Sequence, residues 1–228
     1  MNYFVTGTDT GVGKTLISCA LLHAFAAKGL RVAGMKPVAT GCDENKHNED
    51  AKKLRAASSV MASYGQINPY CLLHPIAPHL AARNAGVRID LSHILTSYHE
   101  LASQADVVIV EGVGGFKVPL NERQDSADLV RQMELPVILV VGMRLGCLNH
   151  ALLTAGAIEA CGLKLAGWVA NVLDANMVAL RDNIAALEQR LIAPLLGVVE
   201  YQVQPGAHAV AKQLDIELLN KSEAADDM

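Results

Sequence analysis

Apolar residues in this chain come in short unbroken runs rather than in alternation. Tyr3-Phe4-Val5, Arg31-Val32-Ala33-Gly34-Met35, Val107-Val108-Ile109-Val110, Val137-Ile138-Leu139-Val140-Val141, Ala166-Gly167-Trp168-Val169-Ala170 and Leu195-Leu196-Gly197-Val198-Val199 each have the length of a strand. Runs without a polar face are what strands show when both sides of a sheet are covered. Between them lie stretches of helical character. One opens at Leu16-Ile17-Ser18-Cys19-Ala20-Leu21-Leu22, and others fall near 91–104, 126–134, 149–161 and 177–191. Strands alternating with helices predict an α/β fold: a single doubly wound, mostly parallel sheet with helices on both faces. Ligands of such sheets bind beyond the carboxyl ends of the strands, where the residues singled out below fall.

Two regions break this rhythm. Residues 40–57 are polar and charged before a short helical pattern, and residues 66–79 carry Pro69, Pro75 and Pro78, which predicts an irregular connection. Long insertions at the ligand edge of a sheet are characteristically binding loops. Residues 1–221 are expected to form one domain. The acidic Ser222–Met228 tail has no apolar face and is expected to be disordered.

A net charge of −4, with no stretch concentrating Lys and Arg, argues against a nucleic-acid groove. No apolar run reaches the roughly 18–20 residues that span a bilayer. The N-terminus enters a strand directly, so no signal peptide is expected and the chain reads as cytoplasmic. Cys19, Cys42, Cys71, Cys147 and Cys161 are scattered without a C-x-x-C pair, and read as reduced thiols. The eight histidines show no zinc-ligand spacing.

The chemistry begins at Gly7-Thr8-Asp9-Thr10-Gly11-Val12-Gly13-Lys14-Thr15, set between the first strand and the first helix. Glycines let backbone N–H groups converge on phosphates, and the helix N-terminus adds the positive end of its dipole. Lys14 can reach the β- and γ-phosphates, and the Thr15 hydroxyl can ligate Mg²⁺. This is a P-loop of the NTPase type, one residue longer than the common form because its first glycine is Gly7 rather than residue 8.

Glu111 ends an apolar strand and opens Glu111-Gly112-Val113-Gly114-Gly115; it reads as a Mg²⁺ ligand or as a cap of the following turn. Asp50 begins a short helix after the polar loop, where an N-cap or first-turn acid competes with a metal-ligand role. Lys36, in Gly34-Met35-Lys36-Pro37-Val38-Ala39-Thr40-Gly41, is either snorkelling to solvent or aimed at an anion.

Gly7–Thr15, Met35–Gly41, Glu111–Gly115, Leu145-Gly146-Cys147-Leu148-Asn149-His150 and Gly167-Trp168-Val169-Ala170-Asn171 together resemble the dethiobiotin synthetases, ATP-dependent enzymes of biotin synthesis. The resemblance runs in order from residue 3 to about residue 199. It implies that Gly11, Val12, Gly13, Lys14, Thr15 and Leu16 lie on the ATP phosphates. Thr15, Asp50 and Glu111 would ligate Mg²⁺, with Gly112, Val113 and Gly114 beside the nucleotide. Lys36 matches the active-site lysine and Lys14 the second catalytic cation. Thr10, Thr40, Gly114 and Asn149 match positions that contact the diamino acid, Asn149 reaching the site from the partner of a homodimer. Asn171 and Val172 match the adenine side, and Glu200, Tyr201 and Gln202 would run past the base. Gly11 stands where some members have an acidic residue, and Glu200 where some have proline.

The implied reaction joins 7,8-diaminononanoate, CO2 and ATP. One amine takes up CO2 as a carbamate, ATP phosphorylates it to a mixed anhydride, and the second amine closes the ring with loss of phosphate. Positioning and charge stabilisation suffice for this, without a covalent nucleophile. Two other readings share the fold. A membrane-associated partitioning ATPase would carry a second lysine early in its P-loop, where this chain has Thr8, Asp9 and Thr10. A small-molecule kinase is separated from the synthetase by the resemblance alone.

Overall fold

The computed structural model describes residues 1–203 and 206–221. In chain order the elements are β1 (Asn2–Gly7), α1 (Lys14–Ala26), β2 (Val32–Met35), β3 (Val38–Thr40), α2 (Glu49–Ala57), α3 (Tyr64–Ile67), β4 (Tyr70–Leu72), α4 (Pro78–Asn84), α5 (Leu91–Gln104), β5 (Val107–Glu111), α6 (Ser126–Met133), β6 (Val137–Met143), α7 (Cys147–Ala160), β7 (Leu165–Val172), α8 (Leu180–Glu188), β8 (Leu195–Val199), α9 (Ala207–Ala211) and α10 (Glu217–Lys221). Six strands form one parallel sheet in the order β2-β5-β1-β6-β7-β8.

The unbroken apolar runs follow from burial on both faces. Tyr3, Val5, Ile138 and Val140 point to a core shared with Ile17, Leu21 and Phe25 of α1, Leu54 of α2 and Val210 of α9. Phe4, Val108 and Val110 point the other way, onto Ile94 and Leu101 of α5 and Leu129 and Val130 of α6. Leu139, Val141 and the fully buried Trp168 continue that second face onto α7 and α8. Each strand thus has an apolar partner layer above and below, as a doubly wound sheet requires. Glu111 and the residues just past β1 and β2 lie at one edge, the carboxyl ends of adjacent strands.

The region around 66–79 is more ordered than its prolines imply. It holds α3, β4 and the start of α4, and β4 pairs in parallel with β3 to make a separate two-stranded sheet. That pairing also overturns the reading of all five cysteines as free thiols. Ala39 lies opposite Cys71, Cys42 N–H donates to Leu72 C=O at 3.0 Å, and Cys42 and Cys71 are disulfide-bonded across 5.9 Å between their Cα atoms. A pair 29 residues apart meets only because of the strand pairing, so no local spacing marks it. Cys19, Cys147 and Cys161 are free. The expected tail, Ser222–Met228, lies outside the described residues. Among those described, no helix is long and apolar enough to cross a membrane.

Candidate active site

The P-loop curls from β1 into α1 over a buried anchor, Val12. A Cβ on Gly7 would come within 2.6 Å of Val12 Cγ2, and one on Gly142 of β6 within 2.8 Å of Val12 Cγ1. Gly13 is the N-cap of α1 at φ 93°, and a side chain there would run into Asn171 Nδ2. Both facts call for glycine at that position. Asn171, buried at the end of β7, donates to Val12 C=O at 2.8 Å and so braces the loop from behind. Gly11 lies at φ 76° with open space around it; an acidic side chain there would fit the space but need a left-handed backbone.

Lys14 Nζ donates to Asp9 C=O at 2.9 Å, folded back along the loop. Burial, with the Lys36 ammonium nearby, pulls its pKa down to about 8. On the other side of the cleft Lys36 is only 4% exposed. Its Nζ donates to Glu111 Oε1 at 2.6 Å and to Gly112 C=O at 3.0 Å, and lies 3.3 Å from Asp50 Oδ2. Burial pulls this lysine down too, but Glu111 and then Asp50 outweigh it and leave the pKa raised. Lys36 therefore does not snorkel; it is an interior cation.

Thr15, Asp50 and Glu111 come together. The Thr15 hydroxyl donates to Glu111 Oε1 at 2.8 Å and is within hydrogen-bonding reach of Asp50. Burial raises the pKa of Asp50, but Lys36 and this contact outweigh it and keep the carboxyl below its ordinary value. Neither carboxylate is spent on a cap. Asn48 caps α2 instead, its side chain accepting from the N–H groups of Asp50 and Ala51. Glu111 Oε2 is buried and without a hydrogen-bond partner among the described residues. Two carboxylates and a hydroxyl, one oxygen still unsatisfied, are hard donors suited to Mg²⁺, which keeps several waters of its own. Among the described residues no three His, Cys, Asp or Glu side chains gather as a metal site.

These groups line a cleft of about 400 Å³ together with Thr10, Gly11, Gly13, Leu16, Ala39, Thr40, Asn48, Lys53, Val113 and Gly114. Twelve sequence-derived positions are thus on or beside one cavity: Thr10, Gly11, Gly13, Lys14, Thr15, Leu16, Lys36, Thr40, Asp50, Glu111, Val113 and Gly114. Others stand apart. Val12, Asn171 and Val172 are buried behind the loop, and Glu200, Tyr201 and Gln202 are exposed beyond β8. Asn149 is exposed on α7 and does not line its own chain's cleft. The helix opens two residues earlier than its pattern indicated, with Gly146 as N-cap, so Asn149 is not a cap. The pattern Ala151, Leu152, Ala155, Ile158 and Glu159 suggests an apolar helix face for a partner, but Ala151, Ala155 and Ile158 are buried against the chain's own sheet and Leu152 is exposed, as are Leu145 and Leu153 outside that pattern.

Sequence reasoning passed over three contributors. Asp9 accepts from Thr10 N–H at 2.7 Å and from Arg144 at 2.6 Å, tying the P-loop tip to the turn before α7. Lys53 lines the cleft one helical turn past Asp50. Asn68 contacts the main chain of Lys36. Asp9 and Asn68 work through partners distant in sequence, so no short motif contains them.

Residues 1–208 match the family model described as an AAA domain. An ATP-dependent dethiobiotin synthetase BioD from Nitrosospira multiformis is 56% identical over 220 residues, 96% of this chain and 97% of that protein. One of the same name from Aromatoleum aromaticum is 54% identical over 215 residues, 93% of this chain and 96% of that protein. The chain belongs to the dethiobiotin synthetase family. Among solved structures, the cell division protein MinD of Aquifex aeolicus superposes with a TM-score of 0.59 at 13% identity, covering 98% of this chain and 97% of that one. A ParA family ATPase of Chlorobium tepidum gives 0.55 at 13% identity, covering 96% and 89%. At that identity these two carry the fold alone, which the synthetase family shares with them.

Proposed function

We propose that this protein forms dethiobiotin from 7,8-diaminononanoate, CO2 and ATP, as a cytoplasmic homodimer that uses Mg²⁺. The observation that carries the reading is the buried Lys36 ammonium facing a P-loop across one cleft, in a chain 56% identical to a named dethiobiotin synthetase. A P-loop alone serves any nucleotide hydrolase. A second interior cation beside it suits a reaction in which a carbamate must be held next to the transferring phosphoryl group.

The residues divide the work. Gly11–Leu16 and Lys14 hold the triphosphate, with Gly112, Val113 and Gly114 beside it. Asn171, Val172, Glu200, Tyr201 and Gln202 form the base side. Thr10, Thr40 and Gly114 hold the diamine, and Asn149 reaches it from the partner subunit. Lys36 stabilises the carbamate that forms when one amine adds to CO2 and loses a proton. The carbamate oxygen then displaces ADP from the γ-phosphorus. The second amine attacks the carbonyl of the mixed anhydride, expelling phosphate and closing the ring. Mg²⁺, held by Thr15, Asp50 and Glu111, would neutralise charge on the phosphates.

ATP hydrolysis is expected to be negligible alone and strongly stimulated by diamine plus bicarbonate, with a product of the mass of dethiobiotin. Hydrolysis indifferent to the diamine, or a phosphorylated diamine without ring closure, would replace this reading with an ATPase or a kinase.

A further inference from the structure

Lys36 is gripped at its main chain as well as at its ammonium. Its N–H donates to Ile67 C=O at 2.7 Å, and its own C=O accepts from Asn68 Nδ2 at 2.6 Å. The second hydrogen of the same amide goes to Tyr70 C=O at 3.2 Å. Asn68 is 3% exposed, and its Oδ1 has no hydrogen-bond partner among the described residues. Burying an amide with an unpaired oxygen is unfavourable, so a position that merely fills space is better served by an apolar side chain. The local sequence explains the device. Tyr70 N–H donates to Pro37 C=O at 3.1 Å, but the next N–H in register, that of Asn68, is taken by Tyr64 C=O at 2.8 Å, which leaves the Lys36 carbonyl without a main-chain donor. The Asn68 side chain supplies that donor.

We infer that Asn68 is a positioning residue for the reaction, fixing the main chain at Lys36 so that the ammonium arrives between Glu111 and Asp50. The inference rests on the catalytic reading of Lys36 given above. Among the described residues the side-chain hydrogen bonds of Asn68 go to the carbonyls of Lys36 and Tyr70, not to the phosphate cradle. Its loss should therefore move Lys36 and leave nucleotide binding alone. Misplacement of a reacting group by about 1 Å costs on the order of 10²-fold in rate.

The test is a double-mutant cycle on turnover, read by product mass, with Asn68→Ala, the nearly isosteric Asn68→Asp, Lys36→Met and the Lys36→Met/Asn68→Ala double variant. Both Asn68 variants should lower kcat roughly 10- to 100-fold while the ATP KM stays within about twofold. In the Lys36→Met background, Asn68→Ala should cost less than about twofold more. A structural role would lower the thermal midpoint and the active fraction, and its effect would persist in full in that background; this result overturns the inference. So does an unchanged kcat in the folded Asn68→Asp protein. Turnover of Lys36→Met within tenfold of the unaltered protein removes the catalytic reading of Lys36, and the inference with it. A slow Lys36→Met beside fully active Asn68 variants removes the inference alone.

Discussion

Lys14 and Lys36 are buried in one cleft, yet their surroundings drive them in opposite directions. Lys36 has two carboxylates within reach and is raised, whereas Lys14 has a carbonyl for a partner and is lowered to about 8. Since Lys14 falls below its unfolded value, the unfolded chain holds a proton that the folded one has lost between pH 8 and about 10.5. This group's contribution to stability therefore rises with pH across that window. Nucleotide binding runs the other way, because the triphosphate calls for the charged form. Affinity for a non-hydrolysable ATP analogue should fall as pH passes about 8, with a proton taken up on binding, and Lys14→Gln should abolish the slope. Calorimetry in two buffers of different ionisation enthalpy measures both. Residues whose place in the cleft is set by neighbours in the chain were legible: the glycines, Lys14, Thr15, and Glu111 at its strand tip. Asn68 and Arg144 were not, because what they hold lies 32 and 135 residues away.

The strands of the main sheet announce themselves as apolar runs because each is covered on both sides. β3 and β4 have three residues apiece and lie beside prolines, too short for any periodicity, and their pairing is a long-range event. Their disulfide closes a ring that contains α2 with Asp50 and α3 next to Asn68. Closing a loop of this length stabilises by about 3–4 kcal/mol in the chain-entropy account. For a protein of this size that is roughly 5–15 °C in the thermal midpoint. Dithiothreitol should lower the midpoint by that amount, and Cys42→Ser should reproduce the loss and make it insensitive to reductant. Equal midpoints with and without reductant would show the ring to be energetically idle. A cytoplasm tends to keep such pairs as thiols, so the reduced protein is the form to assay beside the oxidised one.

At the scale of the molecule, the doubly wound architecture and the edge that carries the site were readable from the order of runs and helices. What one chain's pattern does not display is a second chain. Leu145 is 99% exposed and Leu153 65%, on the turn and helix that carry Asn149. Exposed leucines of this kind suit a two-fold contact. Mixing inactive Lys36→Ala with inactive Asn149→Ala protein should restore part of the activity, since one site of each hybrid dimer carries neither lesion. Light scattering and a tagged pull-down establish subunit exchange; exchange without activity would leave each site within its own chain. Across the whole fold, α2 through Asp50 and β5 through Glu111 converge on the ammonium that the chain just past β2 supplies, and α1 joins them through the Thr15 hydroxyl on Glu111. In linkage terms, a Mg²⁺ held as proposed would draw on the same two carboxylates that Lys36 neutralises. Lys36→Met should therefore melt earlier than the unaltered protein without Mg²⁺, yet be stabilised by added Mg²⁺ far more than the unaltered protein is. The lysine is the counter-ion of both carboxylates, a single charge that ties together elements far apart in the chain.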